Sequence, residues 1–221
     1  MFPPFAVIFD MDGVLVQSSD AVFQSFQSVL SQSGISLPDS EQPSATLPLR
    51  DQLTRWHDQF GVSFDYSDFN QKALSTELDI LKNIRLDSSL LWLLRDLSSN
   101  NIPLAIATSS SRERAEKLLS ILGIRAFFLA VLTSEDAPTK KELFQKISSC
   151  LGLPPNQCIV IAAAANIESA RALGMKTIGF LSPPFQKSDL QSAHSIVESF
   201  STLSTQSLGE LVSPAAPPKV Q

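Results

Sequence analysis

The 221 residues carry a net charge of −5, with 43% hydrophobic and 18% charged side chains, a composition that excludes a disordered chain and allows one substantial core plus a small satellite domain. The acidic balance, with no basic cluster to override it, argues against a nucleic-acid surface, and no apolar stretch approaches the roughly twenty residues that span a bilayer. A soluble, cytoplasmic protein is expected, because the N-terminus lacks a basic leader and runs straight into an apolar segment.

That segment, Phe5 to Val16, reads FAVIFDMDGVLV. It predicts a buried strand that stops on Asp10 and Asp12, two acids spaced i, i+2, so that both carboxylates fall on one side at the strand's carboxyl end. Gly13 permits the sharp exit that follows. Open α/β sheets bind their ligands at that edge. Two carboxylates there suit a hard cation such as Mg²⁺ and set a nucleophile beside an acid/base.

The pattern then turns helical. Val22, Phe23, Phe26, Val29 and Leu30 form an apolar stripe within Ser19 to Ser33. Gly34 to Pro48 is rich in Ser, Pro and Gly and predicts a loop. Helices follow near Leu49 to Phe60 and Ser67 to Lys82, with Asp65 or Ser67 as N-cap. Residues 18–84 are therefore expected to form a helical domain inserted after the first strand, its aromatic residues mostly core.

From Ser88 the chain alternates between helix and strand. Leu90 to Leu97, Arg112 to Leu122, Lys140 to Leu151 and Ile167 to Leu173 predict helices. Ile102 to Ala107, Ala126 to Leu132, Cys158 to Ile161 and Thr177 to Leu181 predict strands. Such alternation with short links implies a parallel α/β sheet covered on both faces. The core domain is thus assigned to residues 1–17 and 85–200, and residues 201–221, with their SPAAPP stretch, to a flexible tail. Cys150 and Cys158 form neither a CxxC pair nor a disulfide framework, so reduced and mostly structural thiols are expected.

Thr108, Ser109, Ser110 and Ser111 lie between the second strand and a helix, where hydroxyls and backbone N–H groups can cradle a phosphate. As an isolated motif the same run would be an ordinary helix cap.

The run FAVIFDMDGVLV resembles motif I of the haloacid dehalogenase superfamily, in the form found in its β-phosphoglucomutase and phosphoglycolate phosphatase branch. LAIATSSSRERAEKLL, residues 104–119, resembles that superfamily's motif II. The resemblance implies a doubly wound parallel sheet with a helical cap inserted just after motif I, in a phosphatase or phosphomutase acting on a small phosphorylated metabolite with Mg²⁺ as cofactor. It makes Asp10 the residue that becomes phosphorylated and Asp12 the proton shuttle, with both as metal ligands (Asp12 through its carbonyl). Thr108 becomes the phosphate-binding hydroxyl, assisted by the Ser109 backbone. A dehalogenase is disfavoured, because Asp12 and Gly13 follow the phosphotransferase form of the motif. Oligomeric state is not legible.

Two departures stand out. The lysine of motif III would align with Pro138; Lys140, or else Lys141, is assigned that role, although two lysines opening a helix also suit a solvated charge pair. At motif IV the sequence IVIAAAANIESARALGM, residues 159–175, places Ile161 and Ala162 where the branch carries two metal-binding acids. Ala162 is expected to face the metal site across a water-filled gap, unless Asp136 or Glu168 supplies the missing carboxylate. The same departure supports an alternative, a catalytically impaired protein that binds a ligand or partner through the same cleft.

Overall fold

The computed structural model describes residues 4–37 and 49–213, apart from the side chain of Ala165. The chain divides into two compact units, Ser18–Arg85 and the remainder, Met1–Gln17 with Leu86–Gln221. Most of the predicted Gly34–Pro48 loop and nearly all of the SPAAPP stretch lie outside the described residues.

In the smaller unit, helices α1 (Ser19–Ser31), α2 (Leu49–Phe60) and α3 (Tyr66–Leu81) enclose a core of their own around Phe23, Leu30, Trp56 and Phe69. Aromatic edges dominate it: the Phe26 and Trp56 rings meet at 5.6 Å in a T-shape. Of the two predicted caps for α3, Asp65 is used, its carboxylate accepting from the Asp68 N–H.

The larger unit is built on a six-stranded sheet in which every neighbouring pair is parallel. Its strands are β1 (Ala6–Phe9), β2 (Leu104–Ala107), β3 (Ala130–Leu132), β4 (Cys158–Ala162), β5 (Lys176–Phe180) and β6 (Ser195–Val197), in the spatial order β3-β2-β1-β4-β5-β6. The helices α4 (Ser88–Ser99), α5 (Arg112–Ile121), α6 (Lys140–Cys150), α7 (Ala164–Arg171) and α8 (Thr205–Val212) alternate with or follow these strands. Being central, β1 is buried at every position, which is why it reads as an unbroken apolar run rather than an alternating one. Leu143, Phe144 and Ile147 of α6 and Ile167 and Ala170 of α7 pack with Ile8, Ala105 and Val160 of the sheet. The chain winds away from β1 in one direction through β2 and β3 and in the other through β4, β5 and β6. The carboxyl ends of β1 and β4 therefore flank a topological switch point, where such sheets open a crevice.

Three expectations change. The apolar run Ala126–Leu132 is not one strand: a 3-10 turn occupies Arg125–Phe127, and only Ala130–Leu132 joins the sheet. Phe128 turns inward against Phe9, with ring centroids 6.0 Å apart, whereas Leu129 is exposed; an apolar string need not be a buried one. Helix α7 begins at Ala164 instead of Ile167, since the alanines before it are strong helix formers. The chain beyond Ser201 is also not a frayed tail throughout. Helix α8 is capped by Ser204, whose hydroxyl accepts from the Ser207 N–H. The Thr205 N–H donates to Asp96 of α4 at 2.7 Å, and Leu208 is buried. Of the cysteines, Cys158 is buried in β4 while Cys150 is exposed, and burial pushes the Cys158 thiol up to about 11.

Candidate active site

Asp10 is the first residue past β1, and its N–H is held by the Ile161 carbonyl of β4 at 2.9 Å. The carboxylate is nearly buried. Its Oδ1 accepts from the Met11 N–H at 3.0 Å and from Lys140 Nζ at 2.9 Å. Its Oδ2 accepts from the side-chain amide of Asn166. Lys140 Nζ also donates to the Ala107 carbonyl at the end of β2, at 2.8 Å. The ammonium thus ties the carboxyl ends of β1 and β2 together.

Lys140 reaches this position because it opens α6. Thr139 caps that helix in a reciprocal box with Glu142, which fixes the entry angle of the first turn. Lys141, one residue on, is exposed. Of the two lysines weighed from the sequence, Lys140 is therefore the one in contact with Asp10.

Asp12 sits in the turn after Asp10. Gly13 has φ +76°, the left-handed region that glycine enters without strain, and its N–H closes on the Val16 carbonyl at 2.9 Å. The Ser182 hydroxyl, beyond β5, donates to the Gly13 carbonyl at 2.7 Å, pinning the turn to a distant loop. The Asp12 carboxylate is gripped by Arg114: Nη2 donates to Oδ1 at 2.8 Å and Nη1 to Oδ2 at 2.9 Å. Ser110 Oγ adds a bond to Oδ2 at 2.9 Å. Such a two-pronged guanidinium–carboxylate contact is among the strongest of charged hydrogen bonds, and it engages both oxygens of the acid.

Thr108 follows β2 on the same sheet edge as Asp10; it is buried, and its Oγ1 accepts from the Ser110 N–H at 3.1 Å. Ser109 beside it is exposed. Ser111 has a different task, capping α5 through the Arg114 N–H. The structure thus brings Asp10 and Lys140 into contact and sets Asp12 and Thr108 on Ser110.

Of the two acids weighed as substitute ligands, Asp136 is engaged elsewhere and Glu168 is exposed. Asp136 accepts from the Thr133 N–H at 2.8 Å and hydroxyl at 3.0 Å, and pairs with Arg112 at 2.5 Å. Desolvation by burial works to raise its pKa, but the Thr133 hydrogen bonds together with Arg112 and Lys146 outweigh it and hold the carboxyl below the usual range. The neighbouring Glu135 accepts from the Arg112 N–H at the start of α5. Ala162 follows Ile161, the register partner of Phe9, but it does not border a water-filled gap. It is fully buried in the cluster that includes Ile8, Ala107 and Val160.

Sequence reasoning missed Asn166 and Arg114, and it read Ser110 as part of a phosphate cradle without its bond to Asp12. Asn166 had a signal: it is the lone polar residue in an alanine run leaving a strand at the ligand-binding edge. Arg114 had none, since one arginine on a charged helix face is ordinary.

This sheet order, with a paired aspartate leaving the central strand and a lysine reaching it from the start of α6, defines a class. The chain belongs to the haloacid dehalogenase-like hydrolase family, whose sequence profile it matches over residues 7–180. Among its relatives is the fructose-1-phosphate phosphatase YqaB of Escherichia coli, 28% identical over 180 residues that cover 78% of this chain and 94% of that one. Another is the validoxylamine A 7'-phosphate phosphatase of Streptomyces hygroscopicus subsp. limoneus, 27% identical over 78% of this chain and 83% of the other. In fold it is similar to the β-phosphoglucomutase of Clostridium difficile, with a TM-score of 0.77 at 22% identity, covering 95% of this chain and 97% of that one.

Proposed function

We propose that this protein is a phosphatase or phosphomutase-type phosphotransferase acting on a small phosphorylated metabolite through an aspartyl-phosphate on Asp10. The observation that carries the reading is the buried Asp10 carboxylate against the Lys140 ammonium at the switch point of the sheet. Relatives named as phosphatases of a sugar phosphate and of a validoxylamine phosphate support the substrate class.

The chemistry can be followed atom by atom. Oδ1 of Asp10 is engaged twice, by Met11 and Lys140, whereas Oδ2 accepts from Asn166 and keeps a second lone-pair direction. Oδ2 is therefore the attacking oxygen. A bond forms from it to phosphorus while the bond from phosphorus to the leaving oxygen breaks, and Asp12 supplies that oxygen's proton. Water then attacks phosphorus, Asp12 takes the water's proton, and the bond between phosphorus and Oδ2 breaks to release phosphate. Lys140, Thr108 and the Ser109 N–H bind the transferred group, and the ammonium offsets charge gathering on its oxygens. Asp12 carries a proton only after Arg114 leaves one of its oxygens, because the two-pronged contact needs both as acceptors.

The family's usual cation is Mg²⁺, held by Asp10 and the Asp12 carbonyl. The donor set here does not fit it. Both Asp10 oxygens face nitrogen donors, Arg114 takes the Asp12 carboxylate, and the end of β4 is apolar. Among the described residues no group of three or more His, Cys, Asp or Glu side chains gathers anywhere. No step above is routed through a metal.

Phosphate release from a panel of phosphorylated sugars and phosphoglycolate, each with and without Mg²⁺, tests the proposal. The wild type should turn over at least one of them, and Asp10→Asn, which keeps the shape but removes the nucleophile, should not. Undiminished activity in Asp10→Asn would refute the mechanism. The second reading, a binding protein without efficient turnover, is favoured by Ile161 and Ala162 at the end of β4. It predicts saturable binding of one of the same compounds with no phosphate released.

A further inference from the structure

We infer that this cleft works without a divalent cation, the Asn166 amide holding Asp10 Oδ2 in the role a metal would otherwise take and Lys140 supplying the positive charge. The inference rests on reading Asp10 as the nucleophile, but it concerns how that nucleophile is held. A cation beside a catalytic carboxylate does two things: it fixes one oxygen and it offsets negative charge. In this protein those tasks are divided between two side chains.

Fixing falls to Asn166, placed at the first turn of α7 after β4 ends. Its Nδ2 donates to Oδ2, and a neutral amide can orient an oxygen without drawing in further acids. Offsetting charge falls to Lys140, whose side chain is only 9% exposed against 7% for Asp10. Arg114 does the same for Asp12. Two acids meet two bases, so the cleft is balanced as it stands. A divalent ion would bring two more positive charges to within reach of the Lys140 ammonium and would compete with phosphorus for the one lone-pair direction that Oδ2 keeps beside the Asn166 amide. Among the described residues it would find no cluster with a third carboxylate, and Ala162, which follows the register partner of Phe9, is an apolar core residue.

The division also makes the missing acids at the end of β4 intelligible. A carboxylate at 162 would sit unpaired in an apolar cluster unless a cation came with it, and burying an unpaired charge is costly. Alanine there and asparagine at 166 form one consistent solution, with ion and acids removed together.

The decisive experiment titrates Mg²⁺ alone into the full-length protein by calorimetry and compares wild type with Asn166→Asp. The variant sets a second carboxylate against Asp10 Oδ2, a donor pair that divalent cations favour. Wild type should show no saturable Mg²⁺ binding, and Asn166→Asp should gain affinity by about 10-fold or more, the scale by which groups around a metal tune its binding. Saturable binding by the wild type would overturn the inference, and so would an Asn166→Asp variant that folds but gains no affinity. Should Asn166→Asp fold poorly, Asn166→Ala serves: it should lower kcat with little change in KM and should not make turnover Mg²⁺-dependent, whereas rescue of its rate by Mg²⁺ would count against the idea. Any phosphate release by the wild type should survive excess chelator. If no substrate turns over, the proposed function fails while the Mg²⁺ titration still decides this question by itself.

Discussion

Replacing Lys140 with Met keeps most of the hydrophobic stem and removes only the ammonium, isolating its electrostatic part. In the wild type that ammonium donates to Asp10 Oδ1 at 2.9 Å and to the Ala107 carbonyl at 2.8 Å, with both charged side chains almost wholly buried. The substitution leaves a buried carboxylate without its counter-charge, a change that typically costs about 3–5 kcal/mol. The orphaned Ala107 carbonyl acts in the same direction. For a chain of this size each kcal/mol lowers Tm by about 2–4 °C, so a fall of about 6–20 °C is expected. The exposed Lys72–Asp68 pair, at 50% and 60% exposure, provides the contrast: an i,i+4 surface pair is worth about 0.3–0.5 kcal/mol. Urea denaturation of wild type, Lys140→Met, Asp10→Asn and the double variant closes the cycle. Since removing both partners of a buried pair is far milder than removing one, the double variant should recover at least half of what Lys140→Met loses. A loss below about 1 kcal/mol in Lys140→Met, the level of a surface pair, would refute the reasoning, as would a double variant no more stable than the single.

Two further outcomes follow from features outside the site. Burial, aided by Lys176 and Arg171, holds the His194 pKa below its ordinary value, and its Nδ1 accepts from the Thr177 N–H at 3.1 Å. The unfolded chain therefore takes up this proton first. Stability should be constant above about pH 6.5, the ordinary histidine value, and should decline as pH falls from there toward the folded pKa; urea midpoints that fall equally in His194→Asn, whose amide oxygen replaces Nδ1, would show that another group is responsible. Leu208→Ala should cost about 2–5 kcal/mol, as expected for truncating a buried leucine, and a urea midpoint unmoved by it would return residues 201–213 to the status of a loose tail.

The parts of this molecule legible in its sequence are those set by short-range periodicity. An apolar run ending on Asp10 and Asp12 has few other meanings, and the alternation after Ser88 leaves little choice of fold. What could not be read depends on partners far along the chain. Lys140 and Lys141 differ only in the direction each leaves the first turn of α6, which the Thr139 cap decides. Arg114 is engaged because a turn 102 residues earlier presents Asp12 to it. Helix α8 looked like a polar tail because Ser, Thr and Gln suit disorder and helix caps equally, and the Asp96 carboxylate that receives it lies 109 residues away. Asn166 meets Asp10 from 156 residues away, on a helix whose start at Ala164 the alanine run leaves unmarked.

The sheet order has a consequence for biosynthesis. Of the two central strands, β1 and β4, β1 is made first, and the strands that flank it in the finished sheet begin at Leu104 and Cys158. At translation rates of about 5–20 residues per second, Ala6–Phe9 waits roughly 5–20 s for its first neighbour and longer for its second, with both edges open to unwanted pairing. The residues made during that wait encode the smaller unit, which has a hydrophobic core of its own and can complete it while the larger sheet still lacks its second strand.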